Sequence, residues 1–116
     1  MNGATRFAVL LALMWPHAAA AHAMLQHAEP GAGAIVHRSP AQVHLEFTEQ
    51  LEPAFSDVAV TDEGGRSVAN GAAAISGMAM TMKLNRLRPG RYHVQWHAVS
   101  IDTHRTEGAY SFTVAP

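Results

Sequence analysis

The chain has 116 residues, 48% of them hydrophobic and 15% charged, with a formal net charge of -1. That is one domain's worth of chain, too apolar for a disordered protein and too short for a dinucleotide-binding domain plus a substrate domain or for a TIM barrel. It has no basic run to neutralise phosphates, and no cysteine for a disulfide, a thiolate metal site or a thiol nucleophile.

Residues 1–21 read as a secretory signal peptide. Arg6 supplies the positive start, Phe7 to Trp15 the apolar run, Pro16 a break, and Ala18 to Ala21 the small residues that cleavage needs. The run is too short to cross a bilayer as a helix, which takes about 20 residues. Ala19 and Ala21 fit the small-x-small rule and make His22 the new N-terminus. Ala21 and Ala23 fit it equally and make Met24 the first residue. The mature domain is therefore placed at residues 22–116.

Period-two alternation runs through that domain. Val43, Leu45 and Phe47 face one way, with His44 and Glu46 opposite. Val58 and Val60 alternate with Ala59 and Thr61. Met78, Met80, Met82 and Leu84 make a third apolar face. Tyr92, Val94, Trp96 and Ala98 oppose His93, Gln95 and His97, and Tyr110, Phe112 and Val114 close the chain. Such runs are half-buried strands. Glu29-Pro30-Gly31, Ser39-Pro40, Asp62-Glu63-Gly64-Gly65 and Arg88-Pro89-Gly90 punctuate them as turns. The Ala-rich stretch 69–74 reads as a loop or a weak edge. No sustained helical period is present. About seven short strands of this kind predict an all-β, immunoglobulin-like antiparallel β-sandwich.

The unusual number is 8 histidines, as many as Lys and Arg together. Asp102-Thr103-His104 follows directly on a strand. Residues two apart in an extended or turned backbone point the same way, so a carboxylate and an imidazole converge there. A solvated Asp with a hydrogen-bonded His is the plainer account. If cleavage exposes His22, its amine and its imidazole can close a chelate ring on one metal ion, and the amine must lose a proton to do so. With His104 and Asp102 the set becomes three nitrogens and an oxygen, donors that suit tetragonal Cu(II) and that Zn(II) tolerates. Glu49, just past the Val43–Phe47 strand, is a weak ligand, an orienting group or a solvated carboxylate. Met24, two residues from His22, could approach the same metal. The Met78–Met82 stripe reads as core filler rather than a thioether site. His44, His93 and His97 read as solvated imidazoles, with a second, weaker site as the alternative; His27 and His37 show no obvious partner. No nucleophile elbow and no phosphate-cradling loop is present.

These residues resemble the CopC family of periplasmic copper-binding proteins across essentially the whole mature chain. The resemblance rests on His22-Ala23-Met24-Leu25, on Glu29-Pro30-Gly31-Ala32-Gly33-Ala34, on Leu45-Glu46-Phe47-Thr48-Glu49 with Leu51-Glu52-Pro53-Ala54-Phe55-Ser56, and above all on the closing stretch. That stretch runs Leu87-Arg88-Pro89-Gly90-Arg91-Tyr92, Trp96, Val99-Ser100-Ile101-Asp102-Thr103-His104, Glu107-Gly108 and Phe112-Thr113-Val114. The resemblance implies a β-sandwich and a Cu(II) site made by the processed N-terminal His22 with Asp102 and His104. Glu49 falls where some members place a further carboxylate. It also implies a monomeric, non-enzymatic role in periplasmic copper homeostasis or resistance, with a CopD-like inner-membrane protein as partner. Three departures stand out: Met24 replaces an optional extra His, Arg105 follows the motif His where Pro is common, and residues 62–66 carry no methionine, so no Cu(I) site is expected. Two other classes remain as alternatives: a copper oxidative enzyme with a histidine brace, and an interaction module with incidental histidines.

Overall fold

The computed structural model describes residues 22–116; the segment 1–21, read above as a signal peptide, lies outside them. Eight strands form: β1 (Leu25–Glu29), β2 (Ile35–Val36), β3 (Gln42–Phe47), β4 (Asp57–Asp62), β5 (Ala74–Ser76), β6 (Ala79–Lys83), β7 (Gly90–Val99) and β8 (Arg105–Val114). One short 3-10 turn spans Pro53–Phe55. The strands make two four-stranded sheets, ordered β1-β3-β6-β5 and β2-β8-β7-β4. Every pairing is antiparallel except that of the two-residue β2 with the end of β8.

Alternation dictates this layering. Val43, Leu45 and Phe47 of β3, Val58 and Val60 of β4, Met80 and Met82 of β6, Tyr92, Val94, Trp96 and Ala98 of β7, and Phe112 and Val114 of β8 are all buried between the sheets. Burying side chains of this size is what stabilises so small a domain, at roughly 1.5–3 kcal/mol each relative to exposure. Phe47 meets Trp96 edge-on across the sheets at 5.0 Å, and Tyr92 stacks on Phe112 at 5.7 Å. The Tyr92 hydroxyl donates to the Arg88 carbonyl at 2.7 Å, the tyrosine-corner bond of immunoglobulin-like sandwiches. Tyr110 donates to the Pro30 carbonyl at 2.8 Å, and burial first, then the nearby Glu29 charge, push its phenol up to about 12. Gly108 lies opposite Trp96 in the β7–β8 ladder; a Cβ there would stand 2.6 Å from the indole.

The structure corrects two details of the sequence reading. Met78 is not part of the core stripe: it sits in the Gly77-Met78 turn between β5 and β6 and is exposed, because the alternating face ends where β6 begins. The last strand starts at Arg105 rather than near Tyr110, since the whole of β8 pairs with β7. For the Ala-rich stretch, read as a loop or a weak edge, both parts hold: residues 70–73 are irregular and Ala74 opens the edge strand β5, with the isolated bridge Ala69↔Leu84 before it.

Candidate metal centre

Two hairpin-forming strands present the D-x-H motif. β7 ends at Val99 and β8 begins at Arg105, so Ser100 to His104 form the loop between them. The Ser100 amide donates to the His104 carbonyl at 2.9 Å, and the Thr103 amide donates to the Ser100 carbonyl at 2.8 Å. Thr103 has φ 74°. The Ser100–His104 bond thus closes a tight three-residue turn, Ile101 to Thr103, within this five-residue loop, and its last residue is in the left-handed region. The convergence of Asp102 and His104 thus comes from loop closure at Thr103, not from strand alternation. His104 Nδ1 lies 3.4 Å from Asp102 Oδ1.

Ser100 is buried beneath this loop, and its hydroxyl donates to Asp102 Oδ1. That bond first, with His104 adding to it against some desolvation, holds the Asp102 carboxyl below the usual carboxylate range. A carboxylate kept ionised and aimed is a suitable hard donor for a cation.

The leading segment reaches the loop from the other sheet. Ala23 is fully buried, and its carbonyl accepts from the Thr106 hydroxyl of β8 at 2.7 Å. Thr48, just past β3, accepts from the Met24 amide at 2.9 Å through its hydroxyl, which itself donates to the His22 carbonyl at 3.3 Å. The Thr48 amide donates to the Met24 carbonyl at 2.9 Å. Residues 22–24 are therefore stitched to the end of β3 and the start of β8. The result is that the His22 ring lies edge-on to the His104 ring with centroids 4.9 Å apart.

The structure so places His22, His104 and Asp102 at one end of the sandwich. Among the described residues, no three His, Asp or Glu side chains are already gathered closely enough to hold an ion. Glu49 is half-buried one residue past Thr48, and its side chain makes no hydrogen bond or ion pair among the described residues. Met24 is exposed beside His22. The remaining histidines do not form the joint second site weighed above. His44 is on β3 of one sheet, whereas His93 and His97 are on β7 of the other, and a sandwich turns the outer faces of its sheets away from each other. Sequence reasoning missed Ser100, Thr48 and Thr106. Their local signal is only a small hydroxyl residue beside a candidate ligand.

Fold and site together define the class: a small immunoglobulin-like sandwich that carries imidazole and carboxylate donors on its leading segment and on a loop at one end. The chain belongs to the CopC family, whose domain model matches residues 25–115. Asp102, His104 and Glu49 fall within the match, and His22 just before it. Protein YobA of Escherichia coli K12 is 35% identical over 98 residues, covering 81% of this chain and 79% of that protein. The crystal structure of CopC from Methylosinus trichosporium OB3b superposes with a TM-score of 0.76 at 35% identity, over 82% of this chain and 95% of that one. PcoC of Escherichia coli, a methionine-rich copper resistance protein, gives 0.72 at 34% identity over 81% and 99%.

Proposed function

We propose that the protein is an exported, periplasmic Cu(II)-binding protein of copper homeostasis or resistance, and that cleavage after Ala21 completes its site. The observation that carries this reading is the placement of the His22 ring against the His104 ring, with the Asp102 carboxylate 3.4 Å from His104 Nδ1. The freed amine and imidazole of His22 chelate the ion, the His104 imidazole and the Asp102 carboxylate complete a tetragonal set of three nitrogens and one oxygen, and Glu49 supports it from the end of β3. The buried Ala23 favours His22 over Met24 as the first residue. Cleavage after Ala23 would discard a packed side chain and the Thr106 bond along with the chelate.

Copper is the cargo here, and the protein is a carrier rather than a catalyst. The Asp102 carboxylate, a hard oxygen donor, would help to hold the ion in the cupric state and would leave less room for oxygen chemistry. A monomer that hands copper to a CopD-like inner-membrane protein fits this role. Family membership and the copper resistance role in PcoC's name support the reading.

The decisive experiment pairs an N-terminal mass determination on the secreted protein with a Cu(II) titration followed by electron paramagnetic resonance. The expected result is His22 first, one equivalent bound with nitrogen hyperfine structure, and weaker binding as pH falls because the amine must lose its proton. Outer partners alone are worth about 10–100-fold in metal affinity, so His104→Ala should cost at least about a hundredfold. A secreted form that starts at Met24, or a His104→Ala variant that binds as tightly as the parent, overturns the proposal.

A further inference from the structure

The outer face of the β1–β3 pair carries two imidazoles and two carboxylates in a two-by-two array. Across the strands, His27 stands opposite Glu46, and Glu29 opposite His44. Along them, His27 Nε2 lies 3.3 Å from Glu29 Oε2, and His44 Nε2 lies 3.0 Å from Glu46 Oε2. Each imidazole therefore has a carboxylate as neighbour in both directions. On its far side, His44 Nδ1 is 2.9 Å from the Thr81 hydroxyl of β6. All four side chains line a groove of about 720 Å³, which His37 also borders.

A β-bulge builds this array. The register shifts between Leu25 and His27, so Leu25 and Ala28, three apart, both pack on the core. Regular alternation would place His27 on the same face as Leu25. The extra residue turns His27 and Glu29 outward instead, in line with His44 and Glu46.

We propose that this face is a second metal site, built by His27, His44, Glu29 and Glu46, for a divalent cation that accepts imidazole and carboxylate together, with Zn(II) the fitting case. Two nitrogens and two oxygens make a tetrahedral zinc set. Directly opposed residues on such a pair stand about 4.5–5.5 Å apart at Cβ and diagonal ones about 7–8 Å, spans that two metal–nitrogen bonds of about 2.0–2.1 Å can close. The Thr81 hydroxyl can accept Nδ1–H of His44, which would free Nε2, now paired with Glu46, to give its lone pair to a metal. The four side chains do not yet meet at one point. His27, Glu29 and Glu46 are exposed enough, at 56%, 72% and 51%, to turn toward the less exposed His44 without unpacking the core. The site shares no residue with the copper site proposed above and stands without it.

The test is a Zn(II) titration of the His104→Ala protein, followed through the imidazole nuclear magnetic resonance signals. His27 and His44 should shift together and saturate at one equivalent. His27→Ala and Glu46→Gln, both at exposed positions, should each weaken binding by about tenfold or more, while His93→Ala on the opposite sheet should change nothing. The proposal is overturned if His27 and His44 respond independently or not at all, or if both variants bind within twofold of the parent.

Discussion

Two loops of this protein have the same backbone and different contents. Asp62 to Arg66, at the end of β4, and Ser100 to His104, after β7, each close with an amide of the first residue donating to the carbonyl of the last, at 2.9 Å in both. In each, the fourth residue donates back to the first, at 3.0 Å from Gly65 and 2.8 Å from Thr103. The fourth residue is left-handed in both: Gly65 at φ 81° and Thr103 at φ 74°. In the first loop, Asp62 Oδ1 is used on the turn itself, accepting from the Gly64 and Arg66 amides at 2.9 Å each. In the second, the Ser100 hydroxyl donates to the carboxylate of Asp102. One loop reverses the chain and satisfies itself. The other places a β-branched residue where glycine is favoured and holds two polar side chains outward. A positive φ at threonine is a genuine outlier, and outliers of this kind concentrate at binding sites.

The strongest way to break the comparison is to displace one hairpin and leave the other. Gly108→Ala drives a methyl group into Trp96 in the body of β7–β8 and should destabilise by about 2–3 kcal/mol. Urea denaturation measures it, and an unchanged midpoint would mean that the indole moves freely aside. Exchanging the left-handed residues sharpens the comparison. A Cβ at Gly65 meets no atom within 4 Å, so the main cost of Gly65→Thr is the left-handed backbone. The left-handed penalty of about 1–2 kcal/mol, less about 0.5–1 for reduced freedom in the unfolded chain, predicts a loss near 1 kcal/mol. Thr103→Gly should gain a similar or smaller amount, and a loss there would show that Thr103 contributes contacts beyond its backbone.

The smallest effect is electrostatic. The folded-state pKa of Asp102 lies below its ordinary value of 3.8, chiefly through Ser100. Its contribution is therefore complete above that value and fades as pH falls through the lower, folded one. Ser100→Ala should move the Asp102 titration upward toward the ordinary value and narrow this acid window, as carboxyl carbon resonances would report. A titration that does not move would assign the effect to His104 instead.

Much of the sandwich was legible because alternation is a local signal. β3, β4, β6 and β7 announce themselves through Val43 to Phe47, Val58 to Thr61, Met80 to Leu84 and Tyr92 to Ala98. What could not be read depends on pairing. β2 is two residues long and exists only because β8 lies beside it. The His27–Glu46 and Glu29–His44 pairs need both the register and the bulge, and neither is written in β1 alone. The D-x-H motif was visible, but the reason its side chains converge was not, since nothing in the letters says that Thr103 adopts a positive φ. The approach of His22 to His104 joins residues 82 positions apart, and it rests on Thr48 and Thr106, hydroxyls indistinguishable in sequence from any on the surface.

The walled-in position of Ala23 has a practical consequence. A tail that enters the protein there has one residue of slack, so anything fused ahead of His22 must leave beside His104. A purification handle on that side would compete with the imidazoles for the same space and could bring ligating groups of its own. At the other end of the fold, Pro116 is exposed just beyond the last β2–β8 contact, and appendages belong there.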